Sequence, residues 1–412
     1  MKICGITAEY NLFHKGHAYQ IEKARQAGAT HILAVMSGNF VQRGVPAMLD
    51  KRVRTRAALC GGADLVVELP LPFATASAET FAYGSLSLMQ AAGCVDMVSF
   101  GVEDTLAEIQ QVLDVLLSSD FEPVLRLRLA DGGSYASARS QAAAELAGEK
   151  AAQILARPNN ILAIEYLKAA RRLDFYPEWA AIPRLGARHD QHGSEAGLMS
   201  ASYLRHLLEQ GDWSSAAHGM PNVCLPLYQQ AFVSGEGPVR LSGLERNMLA
   251  ILRTRSLDWL KELPDISEGL ENRLYAGIRQ ATSVAQLYQL VQSKRYPQSR
   301  ARRMVLHAYL GITAQMQKMR PPYLRVLGIG PGGEEILRQM KKTAVIPVSQ
   351  SLARLSDESE QAKRFAQLEA AATDQYVLGM PKARPCGWEF TAPVAKEPDA
   401  RDGRRWDAGR IL

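Results

Sequence analysis

Apolar and polar segments alternate regularly along the first hundred residues. Short apolar runs occupy residues 3–8, 31–36, 63–69 and 95–100. Between these runs, residues 17–27, 49–60 and 77–92 carry apolar side chains at helical spacing. Strands that alternate with helices of about a dozen residues are typical of βαβ units, which build a parallel sheet.

The pattern continues and then changes near residue 212. Residues 159–172 and 201–210 predict helices, 179–185 predict a strand, and helical patterns dominate from 213 to 380. We therefore predict an α/β fold, with a nucleotidyltransferase-like Rossmann-type parallel sheet over 1–212 and a mainly helical domain over 213–412. The last 25 residues or so, rich in Pro, Asp, Arg and Gly, are expected to be poorly ordered.

Ligands bind parallel sheets at the carboxyl ends of the strands, so we expect the binding residues in the loops that follow these ends. The chain predicts four such loops, at residues 9–16, 37–49, 70–76 and 101–104. They contain most of the unusual polar residues of this half, namely Glu9, Asn11, His14, Asn39, Gln42, Arg43 and Glu103.

The first loop contains His14-Lys15-Gly16-His17 at the entry to the first predicted helix. Residues three apart at a helix entry face the same side, so both imidazoles are expected to point together. Gly16 removes a side chain where a ligand would approach the backbone. A helix N-terminus favours phosphate, and two imidazoles can donate hydrogen bonds to charge that develops on phosphorus.

Two other interpretations of the pair stay open. His14 and His17 could bind zinc, although the HxxH spacing supplies two ligands and no third is evident nearby. They could also be structural. The position in the first βα loop favours nucleotide chemistry, with Mg²⁺ accompanying the phosphates of ATP.

The bulk composition is that of a globular chain, with 47% hydrophobic and 22% charged residues. The net charge of +6 is compatible with a polyanionic partner and equally with an ordinary basic surface. The five cysteines form no CxxC pair, which fits reduced thiols in a cytosolic protein. We find no signal peptide pattern and no apolar run long enough to cross a membrane.

Several segments together resemble successive motifs of the bacterial tRNA(Met) cytidine acetate ligase family, within the HxGH nucleotidyltransferase superfamily. They are residues 9–17, 36–44 (MSGNFVQRG), 62–70 (GADLVVELP), 99–101 (SFG) and 158–163 (PNNILA). The resemblance spans the whole chain and is most specific before residue 210. Leu12 stands where the family usually has proline and Lys15 where asparagine is common. Neither difference affects the histidines or Gly16.

The resemblance implies a two-step reaction that uses ATP and Mg²⁺. Acetate would attack the α-phosphate of ATP, and the acetyl group of the resulting acetyl-adenylate would pass to the wobble cytidine of elongator tRNA(Met). The product would be N4-acetylcytidine, made in the cytoplasm. The alternatives are a small-molecule adenylyl- or cytidylyltransferase and a non-catalytic RNA-binding protein on the same fold.

The resemblance also implies roles for individual residues. His14 and His17 would be catalytic, and the ATP contacts would be Thr7, Ala8, Glu9, Tyr10, Asn11, Phe13, His14, Gly16, His17, Gly101, Asn159, Asn160, Arg184, Ser202 and Arg205. Ser200 or Ser202 could equally be a helix cap.

Weaker signals concern substrate or RNA. Asn39, Gln42 and Arg43 follow a strand end, and Lys51 belongs to a basic helix that could be either a solvated face or an RNA contact. Arg295, Arg302 and Arg303 lie in a basic stretch with a nearby aromatic, which suits RNA contact and equally a basic helix surface. His189-Asp190-Gln191-His192 predicts a polar loop, and residues 328–333 predict a strand–turn–helix connection.

Overall fold

A mostly parallel sheet forms the centre of the molecule in a computed structural model that describes residues 1–184, 198–267, 269–293 and 296–396. The strands are β1 Ile3–Ala8, β2 His31–Ser37, β3 Phe40–Val41, β4 Val45–Pro46, β5 Leu65–Leu69, β6 Met97–Val102, β7 Glu178–Pro183, β8 Leu324–Ile329, β9 Val348–Ser349 and β10 Ala395–Lys396.

Helices surround this sheet and make up most of the chain after β7. They are α1 Lys15–Gln26, α2 Lys51–Cys60, α3 Leu71–Ala74, α4 Ala78–Ala92, α5 Leu106–Leu116, α6 Phe121–Ala130, α7 Tyr135–Ala147, α8 Glu149–Leu155, α9 Pro158–Leu173, α10 Ala201–Glu209, α11 Trp213–His218, α12 Cys224–Val233, α13 Leu241–Thr254, α14 Leu257–Lys261, α15 Leu270–Gln280, α16 Val284–Val291, α17 Gln298–Leu310, α18 Ala314–Lys318, α19 Gly333–Thr343, α20 Leu352–Ser356, α21 Glu360–Tyr376 and α22 Trp388–Thr391, with a 3₁₀ turn at Val377–Gly379.

The strands of the main sheet run in the order β10-β8-β5-β2-β1-β6-β7, with β9 paired to β8. Neighbouring strands are parallel except at β5 and β8, which are antiparallel. Strands β3 and β4 form a separate antiparallel hairpin. The predicted α/β fold with a parallel sheet is confirmed.

Successive residues of each central strand point to opposite faces of the sheet. Leu33 and Val35 of β2 pack into the core that contains α4 and α9. Ile32 and Ala34 pack into the core beneath α1, α2, α10 and α12. Both faces are covered, which explains why the central strands are almost continuously apolar.

The chain beyond residue 212 contributes to this sheet as well as to helices of its own. Strand β8 pairs with β5, and Leu324 and Val326 belong to the same core as Leu33. A third core joins α13, α15, α16 and α17 and includes Phe40 and Leu71 from the first half. The boundary near residue 212 stays a prediction.

The elements predicted for the first half agree with those observed to within about two residues, the usual uncertainty of helix and strand ends. The strand–turn–helix connection at residues 328–333 is also confirmed, between β8 and α19. Three predictions fall outside the described residues: the loop His189–His192, the contact of Arg295, and the order of the last residues from 397. In the described ranges, no helix is both long enough and apolar enough to cross a bilayer.

Candidate active site

The strand order reverses at β1, which has β2 on one side and β6 on the other. The loops that follow β1 and β6 therefore diverge and leave a crevice at the carboxyl edge of the sheet. We call residues 9–17, which leave β1 and enter α1, the histidine loop. Its position is the one at which parallel sheets of this kind bind their ligands.

His14 and His17 hold each other in place through the backbone. His14 is the N-cap of α1, and its Nδ1 accepts a hydrogen bond from the Gly16 amide at 3.0 Å. Nδ1 of His17 accepts from the His14 amide at 3.3 Å, which completes a reciprocal capping arrangement. The two rings stack with their centroids 3.8 Å apart.

These bonds fix the chemistry of both imidazoles. Burial and the nearby guanidinium groups of Arg184 and Arg205 lower the pKa of His14 to about 3. Burial, His14 and Arg184 lower the pKa of His17 well below its usual range. Both rings are therefore neutral at neutral pH. Because each Nδ1 accepts a hydrogen bond, each proton resides on Nε2, which can donate to a ligand.

Gly16 leaves space for the ring of His14. A Cβ atom at Gly16 would lie 2.8 Å from Cε1 of His14, closer than such atoms approach. Gly16 is therefore needed for the fit of the imidazole as well as for the predicted approach of a ligand. On the other side of the pair, the ring of Tyr10 meets His17 edge-on at 4.9 Å between centroids.

Two residues that the sequence analysis missed anchor the histidine loop. Arg54 of α2 has no exposed surface and donates to the carbonyl oxygens of Leu49 (3.0 Å), Glu9 (2.5 Å), Ser37 (3.1 Å) and Gly38. The Tyr228 hydroxyl of α12 accepts from the Phe13 amide at 3.0 Å and donates to the Phe13 carbonyl at 3.2 Å.

Helix α10 brings Arg205 to the histidine loop. Its guanidinium donates to the carbonyl oxygen of Asn11 and to Ser202 Oγ, the latter at 3.2 Å. Ser200 is the N-cap of this helix and accepts from the Tyr203 amide, so the cap is Ser200 and not Ser202. Ser202 and Arg205 thus lie together, with Arg205 at the histidine loop, and their role as ATP contacts stays a prediction.

Arg184 and Asn159 form the opposite wall, after β7 and at the start of α9. Arg184 Nη1 donates to Asn159 Oδ1 at 2.8 Å, and Asn159 Nδ2 donates to the Glu103 carboxylate at 2.5 Å. A Cβ atom at Gly101 would lie 3.3 Å from Arg184 Cγ, so the glycine admits this arginine. Gly101, Asn159 and Arg184 are therefore brought together.

Asn160 requires a correction. It has no exposed surface. Its Oδ1 accepts from the Glu103 amide at 2.9 Å, and its Nδ2 donates to Asp104 at 2.6 Å. Because these bonds occupy both ends of the amide, Asn160 shapes the loop after β6.

Glu9 links the histidine loop to the β3–β4 hairpin. Its Oε1 accepts a hydrogen bond from the Gln42 amide at 2.8 Å. Burial raises the pKa of Glu9, although this hydrogen bond and the charges of Arg43 and Arg205 act to lower it. Arg43 is exposed on the hairpin. A Cβ at the next residue, Gly44, would lie 2.8 Å from the backbone of Arg302 and Arg303 in α17. The hairpin therefore connects the histidine loop with these two arginines.

Lys51 also requires a correction, because its side chain has no exposed surface and lies on no solvated face. It pairs with Glu68 and, at 2.8 Å, with Glu389. Arg325 of β8 contacts the same two carboxylates, at 2.9 Å for Glu68. With Glu369, whose Oε2 lies 4.0 Å from Lys51 Nζ, these residues form the charge cluster, namely Lys51, Glu68, Arg325, Glu369 and Glu389.

Asn39 belongs to the surroundings of this cluster and is 3% exposed. Its Oδ1 accepts from the Lys51 amide at 2.8 Å, and its Nδ2 donates to Thr373 at 3.2 Å. Neither Asn39 nor Lys51 is accessible to substrate or RNA in this structure. The basic pattern of α2 suggested a surface because its acidic partners lie far away in sequence.

The arrangement can hold a chain of phosphates and stabilise charge on phosphorus. Two neutral Nε2–H donors at the start of α1 and the cations Arg184 and Arg205 surround one crevice. Such preorganised donors are most effective in a buried site with little water. Among the residues that the structure describes, no three His, Cys, Asp or Glu side chains are grouped as a metal site.

Nearly the whole chain is similar to known proteins of one family. Residues 1–387 match the model of the HIGH Nucleotidyl Transferase family. A tRNA(Met) cytidine acetate ligase of Caldanaerobacter subterraneus is 34% identical over 403 residues, 96% of this chain and 100% of that protein. A tRNA(Met) cytidine acetate ligase of Acetivibrio thermocellus is 34% identical over 413 residues, which cover 96% of this chain and 99% of that protein.

Two solved structures are similar along nearly the whole chain. Thermotoga maritima TmcAL without ligand superposes with a TM-score of 0.90 at 29% identity, covering 96% of this chain and 100% of that one. The same protein bound with alpha-thio ATP gives a TM-score of 0.89 with the same coverage.

Proposed function

Because this chain belongs to the HIGH nucleotidyl transferases, and among them to the tRNA(Met) cytidine acetate ligases, we propose that it acetylates the wobble cytidine of elongator tRNA(Met) at the expense of ATP. The single observation that carries this proposal is the pair of Nε2–H donors at the N-terminus of α1, beside Arg205. The related Thermotoga structure bound with alpha-thio ATP supports ATP as the nucleotide.

The proposed reaction has two steps. A carboxylate oxygen of acetate forms a bond to the α-phosphorus of ATP, and the bond to the β-phosphate oxygen breaks, which releases pyrophosphate. The N4 amine of cytidine then attacks the acetyl carbonyl carbon. AMP leaves with the electron pair of the broken C–O bond, and the amine loses one proton. Activation is needed because acetate alone is a poor acyl donor.

The histidine pair would act in the first step. Neutral imidazoles donate hydrogen bonds without carrying charge, so His14 and His17 stabilise the added negative charge on the phosphate oxygens as the transition state forms. Arg205 and Arg184 supply the positive charge around them. Positioning and electrostatics suffice for phosphoryl chemistry, and no protein nucleophile is required.

ATP would lie across the crevice from the end of β1 to the start of α9. On one side, Thr7 and Ala8 end β1, and the histidine loop follows with Glu9, Asn11 and Phe13. Gly101, Asn159 and Arg184 form the far wall. Ser202 is positioned by Arg205. Mg²⁺ enters the proposal as the usual partner of nucleotide phosphates, where it offsets their negative charge.

The tRNA would reach the site over the β3–β4 hairpin. Arg43 is exposed next to the histidine loop, and the backbone of α17 at Arg302 and Arg303 packs against Gly44. Arg302 lies 5.7 Å from the ring of Tyr288, and Arg303 pairs loosely with Asp265 at 3.8 Å. Tyr288 is 3% exposed and its ring is not available to a base, so these cations suit the phosphate backbone of an RNA. Since ATP and tRNA meet in the cytoplasm, the proposed reaction takes place there.

The test uses the purified chain with ATP, Mg²⁺, labelled acetate and unmodified elongator tRNA(Met). We expect label in N4-acetylcytidine after digestion of the RNA, dependent on ATP and lost in His17→Ala. A tRNA(Met) whose wobble cytidine is replaced by uridine is the matched control and should take up no label.

The opposite outcome is equally informative. If cytidine stays unlabelled while pyrophosphate is released with another acceptor, the chain is a small-molecule nucleotidyltransferase. If neither ATP turnover nor acetylation occurs while tRNA still binds, it is an RNA-binding protein without activity.

A further inference from the structure

The proposed acetyl transfer removes a proton from the N4 amine of cytidine, and the histidine pair is unsuited to accept it. Each Nδ1 already accepts a backbone hydrogen bond, and each Nε2 carries a proton. The pKa of His14 is about 3 and that of His17 lies well below its usual range, so neither imidazole is an effective base near neutral pH. A carboxylate is the other common acceptor for such a proton.

The loops that follow β1, β2, β5 and β6 contain four acidic residues, namely Glu9, Asp50, Glu103 and Asp104. Asp50 is 1% exposed and caps α2. Glu103 accepts a hydrogen bond from Asn159 on the far wall of the crevice, and Asp104 is paired with two basic side chains. Glu9 is the one of these four that lies between the histidine loop and the β3–β4 hairpin.

The carboxylate of Glu9 is held by one oxygen and open at the other. Its Oε1 accepts from the Gln42 amide at 2.8 Å, which orients the group. Among the residues that the structure describes, none donates a hydrogen bond to Oε2. The side chain is half-buried, and burial raises the pKa of Glu9. A carboxylate that is oriented and partly removed from water accepts a proton more readily than an exposed one.

Glu9 lies between the proposed ATP site and the proposed RNA site. On one side, the guanidinium of Arg205, which is bonded to the histidine loop, is close enough to lower the pKa of both Glu9 and His14. On the other side are Gln42 and Arg43 of the hairpin. A cytidine that reaches the histidine pair over the hairpin would therefore pass its amine close to this carboxylate.

The charge of Glu9 does not suit its side chain to phosphate binding. A carboxylate repels the phosphates of ATP, whereas Arg184 and Arg205 attract them. The Glu9 carbonyl oxygen, which accepts from Arg54 at 2.5 Å, still belongs to the wall of the crevice. The backbone of Glu9 thus shapes the nucleotide site, and its carboxylate is available for the chemistry of the second substrate.

We propose that Glu9 is the general base of the acetyl transfer, an inference that rests on the proposed function and deepens it. As N4 of cytidine forms its bond to the acetyl carbonyl carbon, the N4 proton passes to Oε2 of Glu9. The bond between the carbonyl carbon and the phosphate oxygen breaks, and its electron pair leaves with AMP. Glu9 returns the proton to water once the products have left. Acetate enters the first step already deprotonated, so Glu9 acts in the second step alone.

Glu9→Gln separates the two steps, because the amide keeps an oxygen for the Gln42 amide but accepts no proton. Acetate-dependent exchange of labelled pyrophosphate into ATP, without tRNA, measures the first step and should stay within about twofold of the wild type. A single turnover of labelled acetyl-adenylate with unmodified elongator tRNA(Met) measures the second step and should slow by about 10²-fold or more. Glu209→Gln, at an exposed glutamate of α10 whose charge also acts on Arg205, is the control and should leave both rates unchanged.

A Glu9→Gln variant that transfers acetyl at the wild-type rate would overturn the role of Glu9 and leave the proposed function intact. Loss of the exchange as well, in a chain that stays folded, would overturn it by assigning Glu9 to the first step. A wild-type chain that makes no N4-acetylcytidine would contradict the proposed function itself.

Glu9→Ala provides a second test, because it removes the carboxylate and leaves space for a small one. Sodium formate should restore the transfer from acetyl-adenylate in this variant by at least about tenfold and should not accelerate the wild type. No restoration by formate would overturn the role of Glu9 independently of Glu9→Gln.

Discussion

Two groups of polar side chains lie at the carboxyl edge of the sheet, the histidine pair after β1 and the charge cluster beneath β2 and β5. Both are buried. In the charge cluster, Lys51 and Arg325 are each paired with Glu68 and Glu389. In the histidine pair, the Nδ1 atoms accept backbone hydrogen bonds, and the residues that the structure describes provide no hydrogen bond to the Nε2 atoms, which can donate to a ligand.

The difference separates architecture from chemistry. Burial opposes ionisation of Glu389, but Lys51 and Arg325 together lower its pKa well below the usual range, so Glu389 stays ionised. Burial and the Glu68 carboxylate raise the pKa of Glu369 to about 8. The cluster joins α2 and β5 to β8, α21 and α22. The histidine pair contacts only its own loop and the start of α1 among the bonds described above, and it faces the crevice. Substitutions in the charge cluster should change the free energy of unfolding. Substitutions in the histidine pair should change the rate of the reaction with ATP.

The largest effect is expected from Lys51→Met. Removal of this cation leaves Glu68 and Glu389 buried with less compensation, so the free energy of unfolding should fall by about 3–5 kcal/mol. Chemical denaturation measures this change. Lys363→Met, at a lysine about half exposed on α21, is the matched control and should change it by less than about 0.5 kcal/mol. Equal effects of both substitutions would mean that the cluster is not the link between the two halves.

His17→Ala should show the reverse pattern. Loss of one preorganised donor should lower the rate of pyrophosphate release by about 10²–10³-fold, which corresponds to about 2.7–4 kcal/mol of transition-state stabilisation. The free energy of unfolding should change much less than in Lys51→Met. His206→Ala, at an exposed histidine of α10, should leave the rate unchanged. A His17→Ala variant that keeps its rate would remove this residue from the chemistry.

Acid titration tests whether His14 is neutral in the folded chain. The pKa of His14 is about 3 in the folded chain and about 6.5 when unfolded, so the unfolded state binds the proton first as pH falls. His14 therefore makes the folded state less stable as pH falls from about 6.5 towards 3. Between about pH 6 and pH 4, His14→Ala should lose roughly 2 kcal/mol less stability than the wild type in urea unfolding. An equal loss would show that His14 is protonated in the folded state.

The smallest effect is expected at the proposed RNA surface. Arg43→Gln should weaken binding of tRNA by a factor of about 5 without changing the KM for ATP. The slope of the logarithm of affinity against the logarithm of salt concentration should become shallower by about 1, as expected for the loss of one phosphate contact. Filter binding at several salt concentrations measures both quantities. Arg338→Gln, 71% exposed on α19, is the control and should bind as the wild type does. A change in the KM for ATP instead would assign Arg43 to the nucleotide.

The parts of the fold that were predictable from sequence are those specified locally. The alternation of apolar runs and helical spacing predicted β1, β2, β5, β6 and β7 and the helices α1, α2, α4 and α9, because period and length distinguish strands from helices. It did not predict α3 or α5–α8. The histidine motif was placed correctly because a strand end, two histidines and a helix start follow each other within ten residues. The pairing of β8 with β5 was not foreseen, since some 250 residues separate them.

The errors in the site have the same origin. Lys51 and Arg54 look like members of a basic surface helix, because Glu389 and the carbonyl oxygens that bind Arg54 are not adjacent in sequence. Asp50 as the N-cap of α2 and the apolar residues between the basic ones were the available signals that this helix is buried. For Tyr228, which holds Phe13 from 215 residues away, we find no local signal.

Acetate-dependent exchange of labelled pyrophosphate into ATP, measured without tRNA, tests most directly whether the histidine pair activates acetate. The wild-type chain should exchange label only when acetate is present, and His14→Ala combined with His17→Ala should reduce the exchange to background while the chain stays folded. Exchange that persists in the double variant, or that proceeds equally well without acetate, would contradict the account.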